Sequence, residues 1–348
     1  MQILINVPSL SRKGGVASLF NILELDRAGS HLSLFVIHNN LTPFLRIPIK
    51  YIQFAFKLIG TDIVHLNPSL SRKSFLRDAV FAWLTLITSR KLVVYWHGWD
   101  NEYESKIKDS KLLKFIFSHS FLQAHVSIVL GSLFEDKLRN LGYKNRVFIE
   151  TNTAEDKYIG KNQPKTVQPT TEIKILFLSR LEVKKGIYVA IETLQFLNQT
   201  AKKYRLIVAG SGSEEDNIKK IAKKNTYCEW VGFVEEESKH NILSSAHILF
   251  LPSYSEGLPL SILEGMLYGL PIISRPIGGI PDLIKNEENG FLVGSLNPKD
   301  FAEKIRKVAE DQELFLQIST NNINKSIIFS PDNVRKRLMA IYEFAYKN

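Results

Sequence analysis

Short runs of β-branched and aromatic residues alternate with stretches of helical period, and this rhythm occurs twice along the chain; no other feature narrows the fold as far. In the first half the strand-like runs are Ile3 to Val7, Leu32 to Ile37, Asp62 to His65, Leu92 to Tyr95, Val126 to Leu130 and Arg146 to Ile149. Between Thr151 and Thr171 the pattern lapses into polar residues with Pro164 and Pro169. It restarts with Ile173 to Leu178, Arg205 to Ala209, Tyr227 to Val231, Ile248 to Leu251, Pro271 to Ile273 and Phe291 to Val293. Strand-helix-strand repeats build parallel, doubly wound sheets, whose ligands sit at the carboxyl ends of the strands. The expected fold is therefore α/β with two Rossmann-like doubly wound domains: residues 1–155, a linker over 156–171, and residues 172–330. After Ser330 and Pro331, the spacing of Val334, Leu338, Ile341, Tyr342 and Ala345 predicts a last helix within 331–348.

The totals agree with two domains. At 348 residues, with 45% hydrophobic and 23% charged residues, the chain carries enough apolar material for two cores and has no compositional case for disorder. Cys228 is the only cysteine, which excludes an internal disulfide framework and a multi-cysteine metal site and leaves it as a small buried hydrophobe. The opening MQILINVPSL lacks the basic start and apolar run of a secretory signal, and the uncharged, mostly apolar run Ala79 to Ser89 falls far short of the ~20 residues that span a bilayer. The expected address is cytoplasmic. Net charge is +10, and residues 1–160 carry 20 Lys/Arg against 13 Asp/Glu. Such a field favours an anionic partner. No basic stripe with interleaved aromatics occurs, so nucleic acid is not expected.

Ser253 to Ile273 contains Glu256 and Glu264. Pro259 suits the first helical position, which makes Leu258 the cap residue, and leucine has no side-chain oxygen for the free N–H groups there. A ligand oxygen can satisfy them, as can water or the Ser255 or Ser261 hydroxyl. Glu264 then falls in the second turn and Glu256 in the loop ahead, so the two carboxylates address different parts of one ligand; alternatively both are solvated side chains. Directly after the strand ending at Leu178 comes SRLEVKKG, in which Arg180 supplies a rigid fork of donors and Lys185 a mobile point charge, a pair suited to diphosphate oxygens. The bland alternative is an exposed basic loop. Gly14 and Gly15 precede a helix starting near Val16, and Gly210 and Gly212 bracket a second glycine-rich turn; both could admit a phosphate or be simple turns. His97 follows the strand ending at Tyr95 and would face a ligand crevice or be held by local turn contacts, whereas His65 reads as a core histidine. Lys50 to Gly60 and Lys111 to Phe121 read as basic amphipathic helices, either packed on the sheet or lying on a membrane surface.

Together, Gly14-Gly15, His97, Arg180 with Lys185, Gly210-x-Gly212, Val231-Gly-Phe-Val234 and Glu256-x7-Glu264 fall in the order and spacing of the GT4 family of retaining glycosyltransferases, and the chain resembles that family over nearly its whole length. EGLPLSILEGMLYG, Gly278-Gly-Ile-Pro-Asp282 and Asn289-Gly-Phe-Leu-Val293 strengthen the likeness. The resemblance implies a GT-B fold, two Rossmann-like domains facing a cleft, with the last helix crossing back onto the first. It implies that Arg180 and Lys185 hold the donor diphosphate, that Glu264 binds the ribose, and that Glu256 with the backbone of Gly257, Leu258, Pro259 and Leu260 binds the transferred sugar. Val234 would lie near the base, and His97 with Gly14 and Gly15 would complete the donor site. It further implies a nucleotide diphosphate sugar as co-substrate, UDP-linked before GDP-linked, no metal or other cofactor, and a glycan or lipid-linked acceptor of bacterial surface polysaccharide synthesis. Peripheral contact with the inner, anionic face of the membrane fits that acceptor. The sequence contains no Asp-x-Asp. Competing readings are a sugar-nucleotide epimerase or phosphorylase on the same fold and an inactive donor-binding partner subunit. The segment from Ile37 to Asp62 is short for the family.

Overall fold

The computed structural model describes residues 1–11, 15–25, 31–37, 43–154, 156–168, 172–199 and 203–348. The chain divides into two compact units, Met1–Thr153 with Pro331–Asn348, and Ala154–Ser330.

In the first unit the strands are β1 (Ile3–Pro8), β2 (Leu32–Ile37), β3 (Ile63–Leu66), β4 (Ser69–Leu70), β5 (Lys91–Trp96), β6 (Gly98–Trp99), β7 (Val126–Val129) and β8 (Arg146–Ile149). They are joined by α1 (Gly15–Leu23), α2 (Pro43–Lys57), α3 (Arg72–Ile87), α4 (Asn101–Asp109), α5 (Lys111–His119) and α6 (Ser132–Asn140). The main sheet is parallel with order β2-β1-β3-β5-β7-β8, while β4 and β6 form a small ribbon of their own. Val93, Val94, Val126 and Ile128 are fully buried, which is why these strands read as near-continuous apolar runs rather than as alternating ones. One helix layer is anchored by aromatic contacts: Phe54 and Tyr51 of α2 meet Phe81 of α3 edge-on, and Phe75 of α3 stacks on Phe117 of α5.

The second unit holds β9 (Ile173–Leu178), α7 (Ile187–Leu197), β10 (Tyr204–Ala209), α8 (Glu215–Lys224), β11 (Cys228–Gly232), α9 (Glu236–Ser245), β12 (Ile248–Leu251), α10 (Leu260–Leu267), β13 (Ile272–Ser274), α11 (Ile280–Leu283), β14 (Gly290–Leu292), α12 (Pro298–Glu310) and α13 (Gln312–Ser326). Its parallel sheet has the order β11-β10-β9-β12-β13-β14. The chain therefore leaves β9 in both directions, and the gap between the β9 and β12 loops is the topological switch point where such sheets hold ligands.

The last helix, α14 (Pro331–Lys347), belongs to the first unit. Arg337 grips the buried Glu150 with Nε to Oε2 and Nη2 to Oε1, both 2.8 Å, and Tyr342 Oη is 2.6 Å from His65 Nδ1. His65 is thus a core residue, as expected.

The expected connection over 156–171 differs from the structure. Its described part, 156–168, is packed on the second unit: Asn162 Nδ2 donates to Leu267 O at 2.9 Å and Val167 is buried. Lys165 Nζ donates to the carbonyls of Leu243 (2.9 Å), Ser244 (2.6 Å) and Ala246 (2.6 Å), closing the C-terminus of α9 where the free carbonyls and helix dipole favour a cation. Burial lowers the Lys165 pKa to about 8. A polar, proline-containing stretch read as a linker because its bonds go to distant backbone carbonyls, which carry no sequence signal. Cys228 is buried and its thiol is pushed up to about 11, so it is inert packing.

Candidate active site

Four loops meet at the carboxyl edge of the second sheet, and glycines let them touch. Gly186 lies at φ +77°, and a Cβ there would be 2.2 Å from Pro252 O; Gly278, at φ +59°, would place one 2.3 Å from Glu256 O. Only glycine tolerates both the left-handed backbone and that approach. Main-chain bonds complete the weave: Tyr254 N to Lys184 O at 2.9 Å, Leu181 N to Ser211 O at 2.9 Å, and Gly279 N to Gly257 O at 2.7 Å. Gly210 and Gly212 accordingly pack against Ser179 O and Leu181 O, where a Cβ would not fit.

The weave places Lys185 against Glu256. Lys185 Nζ lies 2.7 Å from both Oε1 and Oε2, and Ser253 Oγ donates to Oε1 at 2.8 Å. Both charged side chains are nearly buried, at 11% and 7% exposure. Desolvating either charge alone would cost several kcal/mol, so the pair persists by mutual neutralisation, and an anion or a hydroxyl cluster delivered here would compete for both partners. Arg180 is not gathered into this pair. Its side chain is 65% exposed and Nη1 bonds Glu182 Oε1 at 2.7 Å, while Lys184 takes Glu182 Oε2 at 3.0 Å. Burial opposes the Glu182 carboxylate, but the hydrogen bond from Lys184 and the charges of Arg180, Lys184 and Lys185 outweigh it and hold its pKa below the usual value.

Helix α10 begins one residue later than expected. The cap position is Pro259, not Leu258, and Leu260 is the first helical residue, because the extended Pro259 backbone (ψ 127°) delays the turn. No side chain caps this end. Glu264 therefore still lies in the second turn, where Lys239 of α9 approaches Oε1 at 2.7 Å. Beside this pair, Tyr158 stacks on His240 at 4.2 Å between ring centres, and His240 Nδ1 is 2.7 Å from Tyr268 Oη. Val234 is buried just beyond β11, and Gly257 sits in the loop after Glu256, its carbonyl engaged by Gly279.

In the first unit, His97 directly follows β5. It is half-buried, with Nε2 2.7 Å from Asn67 Oδ1 and its ring 4.1 Å from that of Tyr95. Asn67 Nδ2 donates to Asn6 O at 2.7 Å, which assigns Oδ1 to face the histidine. Nε2 then carries the proton and Nδ1 a lone pair. Burial, reinforced by neighbouring His65, lowers the His97 pKa to about 3, so the ring is neutral. One ring nitrogen of His97 is held by this local contact, and the other has no partner among the described residues. Gly15 is the first residue of α1, is exposed, and has nothing within 4 Å of a would-be Cβ. Gly14 lies outside the described residues.

Sequence reasoning did not single out Ser253, Lys239 or Asn67. Ser253 could have been found from its place two residues after β12; Lys239 and Asn67 act through side chains 25 and 30 residues from their partners and left no local sign.

Residues 159–325 match the model of the family described as Glycosyl transferases group 1. The two Rossmann-like units are those of the GT-B fold. An uncharacterized glycosyltransferase of Haemophilus influenzae is 29% identical over 205 residues, which is 57% of this chain and 57% of that protein. The N,N'-diacetylbacillosaminyl-diphospho-undecaprenol alpha-1,3-N-acetylgalactosaminyltransferase of Campylobacter jejuni is 26% identical over 255 residues, 67% of this chain and 64% of that one. Among solved structures, Anabaena HepE in complex with UDP superposes with a TM-score of 0.77 at 16% identity, covering 99% of this chain and 100% of HepE. The matched region spans about half the length of the curated relatives in most cases.

Proposed function

We propose that this protein is a retaining glycosyltransferase of the GT4 kind that moves a hexose from a nucleotide diphosphate sugar, UDP-linked in the first instance, onto a glycan or lipid-linked acceptor of surface polysaccharide synthesis. The observation that carries the reading is the buried Lys185–Glu256 pair at the switch point of a sheet with Rossmann order. Such a pair is costly to maintain for packing alone and is well placed to divide a ligand between its members. Lys185 takes a diphosphate oxygen and Glu256 accepts from hydroxyls of the transferred sugar. Arg180, exposed one turn away in sequence, swings from Glu182 to the same diphosphate. As the glycosidic bond to the phosphate breaks, negative charge grows on the departing diphosphate, and preorganised cations stabilise it where it develops.

The uncapped start of α10 offers backbone N–H groups and a positive dipole end to the donor, while Glu264, oriented by Lys239, accepts from the ribose hydroxyls. Val234 lies beside the base in this reading. In the first unit, His97 offers its Nδ1 lone pair as an acceptor for a sugar hydroxyl. The chemistry calls for no metal ion. HepE, similar in fold, was solved with UDP, and the Campylobacter relative acts on an undecaprenol-linked sugar by its name; both support the choice of donor and acceptor classes.

Thermal unfolding against a panel of nucleotide sugars, with and without chelator, tests this. A true donor at about 100 times its dissociation constant adds ~2.7 kcal/mol of stability, and that gain persists in chelator. Stabilisation by no nucleotide sugar, or only with a divalent ion present, refutes the donor assignment or the metal-free one respectively. Product analysis by NMR then reads the anomeric configuration and separates transfer from epimerisation and phosphorolysis.

A further inference from the structure

Helix α2 buries only part of its apolar surface. Phe54 and Leu58 are buried and Tyr51 half-buried, whereas Ile49, Ile52 and Phe56 of the helix and Ile59 just beyond it are exposed, Phe56 at 70% and Ile59 at 76%. Their spacing of three, four and three residues aligns them in one stripe along the outer side. Packing on the sheet, the ordinary explanation of an amphipathic helix, thus accounts for one face and leaves a second apolar face without cover. Helix α5 repeats the arrangement: Phe117 is buried, and Leu112 and Phe115 stand out at 67% and 55% exposure.

The two stripes lie on one side of the unit. Both helices pack against α3, α2 through Phe54 and Phe81 and α5 through Phe117 and Phe75, and all three are crossovers of one parallel sheet running β2-β1-β3-β5-β7, which right-handed connection puts on a common face. The charge of this layer is one-sided. The three helices hold eight Lys/Arg and a single acid, Asp78, which is buried and bonded to Arg77 at 2.7 Å. Lys57, Lys111 and Lys114 are exposed at the margins of the stripes and find no carboxylate among the described residues.

We infer that the outer face of the α2, α3 and α5 layer docks on an anionic phospholipid surface, with Ile52, Phe56, Ile59, Leu112 and Phe115 entering the headgroup boundary and the marginal lysines meeting lipid phosphates. An apolar stripe fringed by lysines whose long stems reach past it matches a surface that is apolar within and negative at its rim. A soluble acidic protein would satisfy the lysines and leave five large side chains wet. The inference deepens the acceptor part of the proposed function, since a lipid-linked acceptor resides at such a surface, but the face shares no residue with the donor-binding set.

The test uses the full chain in co-sedimentation with vesicles of phosphatidylglycerol mixed with phosphatidylcholine, against phosphatidylcholine alone. The protein should partition to the anionic vesicles, and Ile52→Ser with Phe56→Ser should weaken partitioning by ~100-fold, given the apolar area withdrawn from the boundary. Lys57→Glu with Lys114→Glu should weaken it at low salt and matter less at high salt. Both pairs should keep wild-type stabilisation by the donor nucleotide sugar, which reports folding and the donor site independently. No partitioning of the wild type, or unaltered partitioning of Ile52→Ser with Phe56→Ser, overturns the inference. A solution dimer that the same pair dissolves, with vesicles ignored, also overturns it and gives the face to a second copy of the chain.

Discussion

Around the carboxyl edge of the second sheet the candidate functional groups are charged and paired, Lys185 with Glu256 and Glu264 with Lys239; at the corresponding edge of the first sheet the candidate, His97, is neutral and held by Asn67. In the proposed function the difference is one of task. Charged pairs can be opened by a ligand that replaces each partner, so they suit a place where a diphosphate arrives and leaves. Neutral rings with one nitrogen tied present a fixed lone pair and resist protonation, so they suit recognition of hydroxyls. Within the second unit, burial separates Lys185 from Arg180, the first enclosed in its pair with Glu256 and the second exposed in its pair with Glu182.

The sharpest way to break this comparison is at Lys185. Lys185→Ala should lower kcat by ~1000-fold, because it removes a preorganised cation and leaves Glu256 buried and unpaired. Full activity in steady-state assays would mean that the pair is only packing. Arg180→Ala should cost on the order of 100-fold or more, by analogy with loss of a donor that stabilises developing negative charge. If Arg180→Ala proves worse than Lys185→Ala, the ranking by burial is wrong.

Smaller effects sharpen the contrast. Lys239→Ala should raise the donor KM by ~10-fold with little change in kcat, about the value of one oriented charge-assisted hydrogen bond; a change confined to kcat would move Glu264 to the reacting centre. On the neutral side, burial lowers the pKa of His65 to about 3 from 6.5. The unfolded state therefore binds the proton first, so the contribution is complete above about 6.5 and is lost as pH falls towards 3. Stability should decline across that window with a slope of at most ~1.4 kcal/mol per pH unit from this ring. His65→Gln, followed by thermal unfolding against pH, should flatten the slope; an unchanged profile would show that His65 is not the group that titrates.

Much of the fold was legible because strand and helix periods are local. Each strand-like run identified in the sequence lies on an observed strand to within a residue or so, as Pro271 to Ile273 does on Ile272–Ser274. The start of α10 was displaced by one residue, since Pro259 takes an extended backbone (ψ 127°) at the cap position instead of opening the first turn. The segment 156–168 was misread for a related reason: a lysine serving three carbonyls at the end of α9 looks, in sequence, like any lysine in a linker. Within the site, Glu256 and Lys185 were each visible as chemistry after a strand, but not as partners.

The sequence by itself determined which segments become strands and helices, where the rhythm breaks, and which residue types stand at strand ends, because all of these depend on neighbours within a few positions. Only the tertiary structure decided that Lys185 meets Glu256 across 71 positions, that Asn67 sets the proton on His97, and that α2 and α5 turn unburied apolar stripes to one side. Those outcomes depend on which strands lie side by side and on how much of each helix the sheet can cover, and neither is encoded in local periodicity.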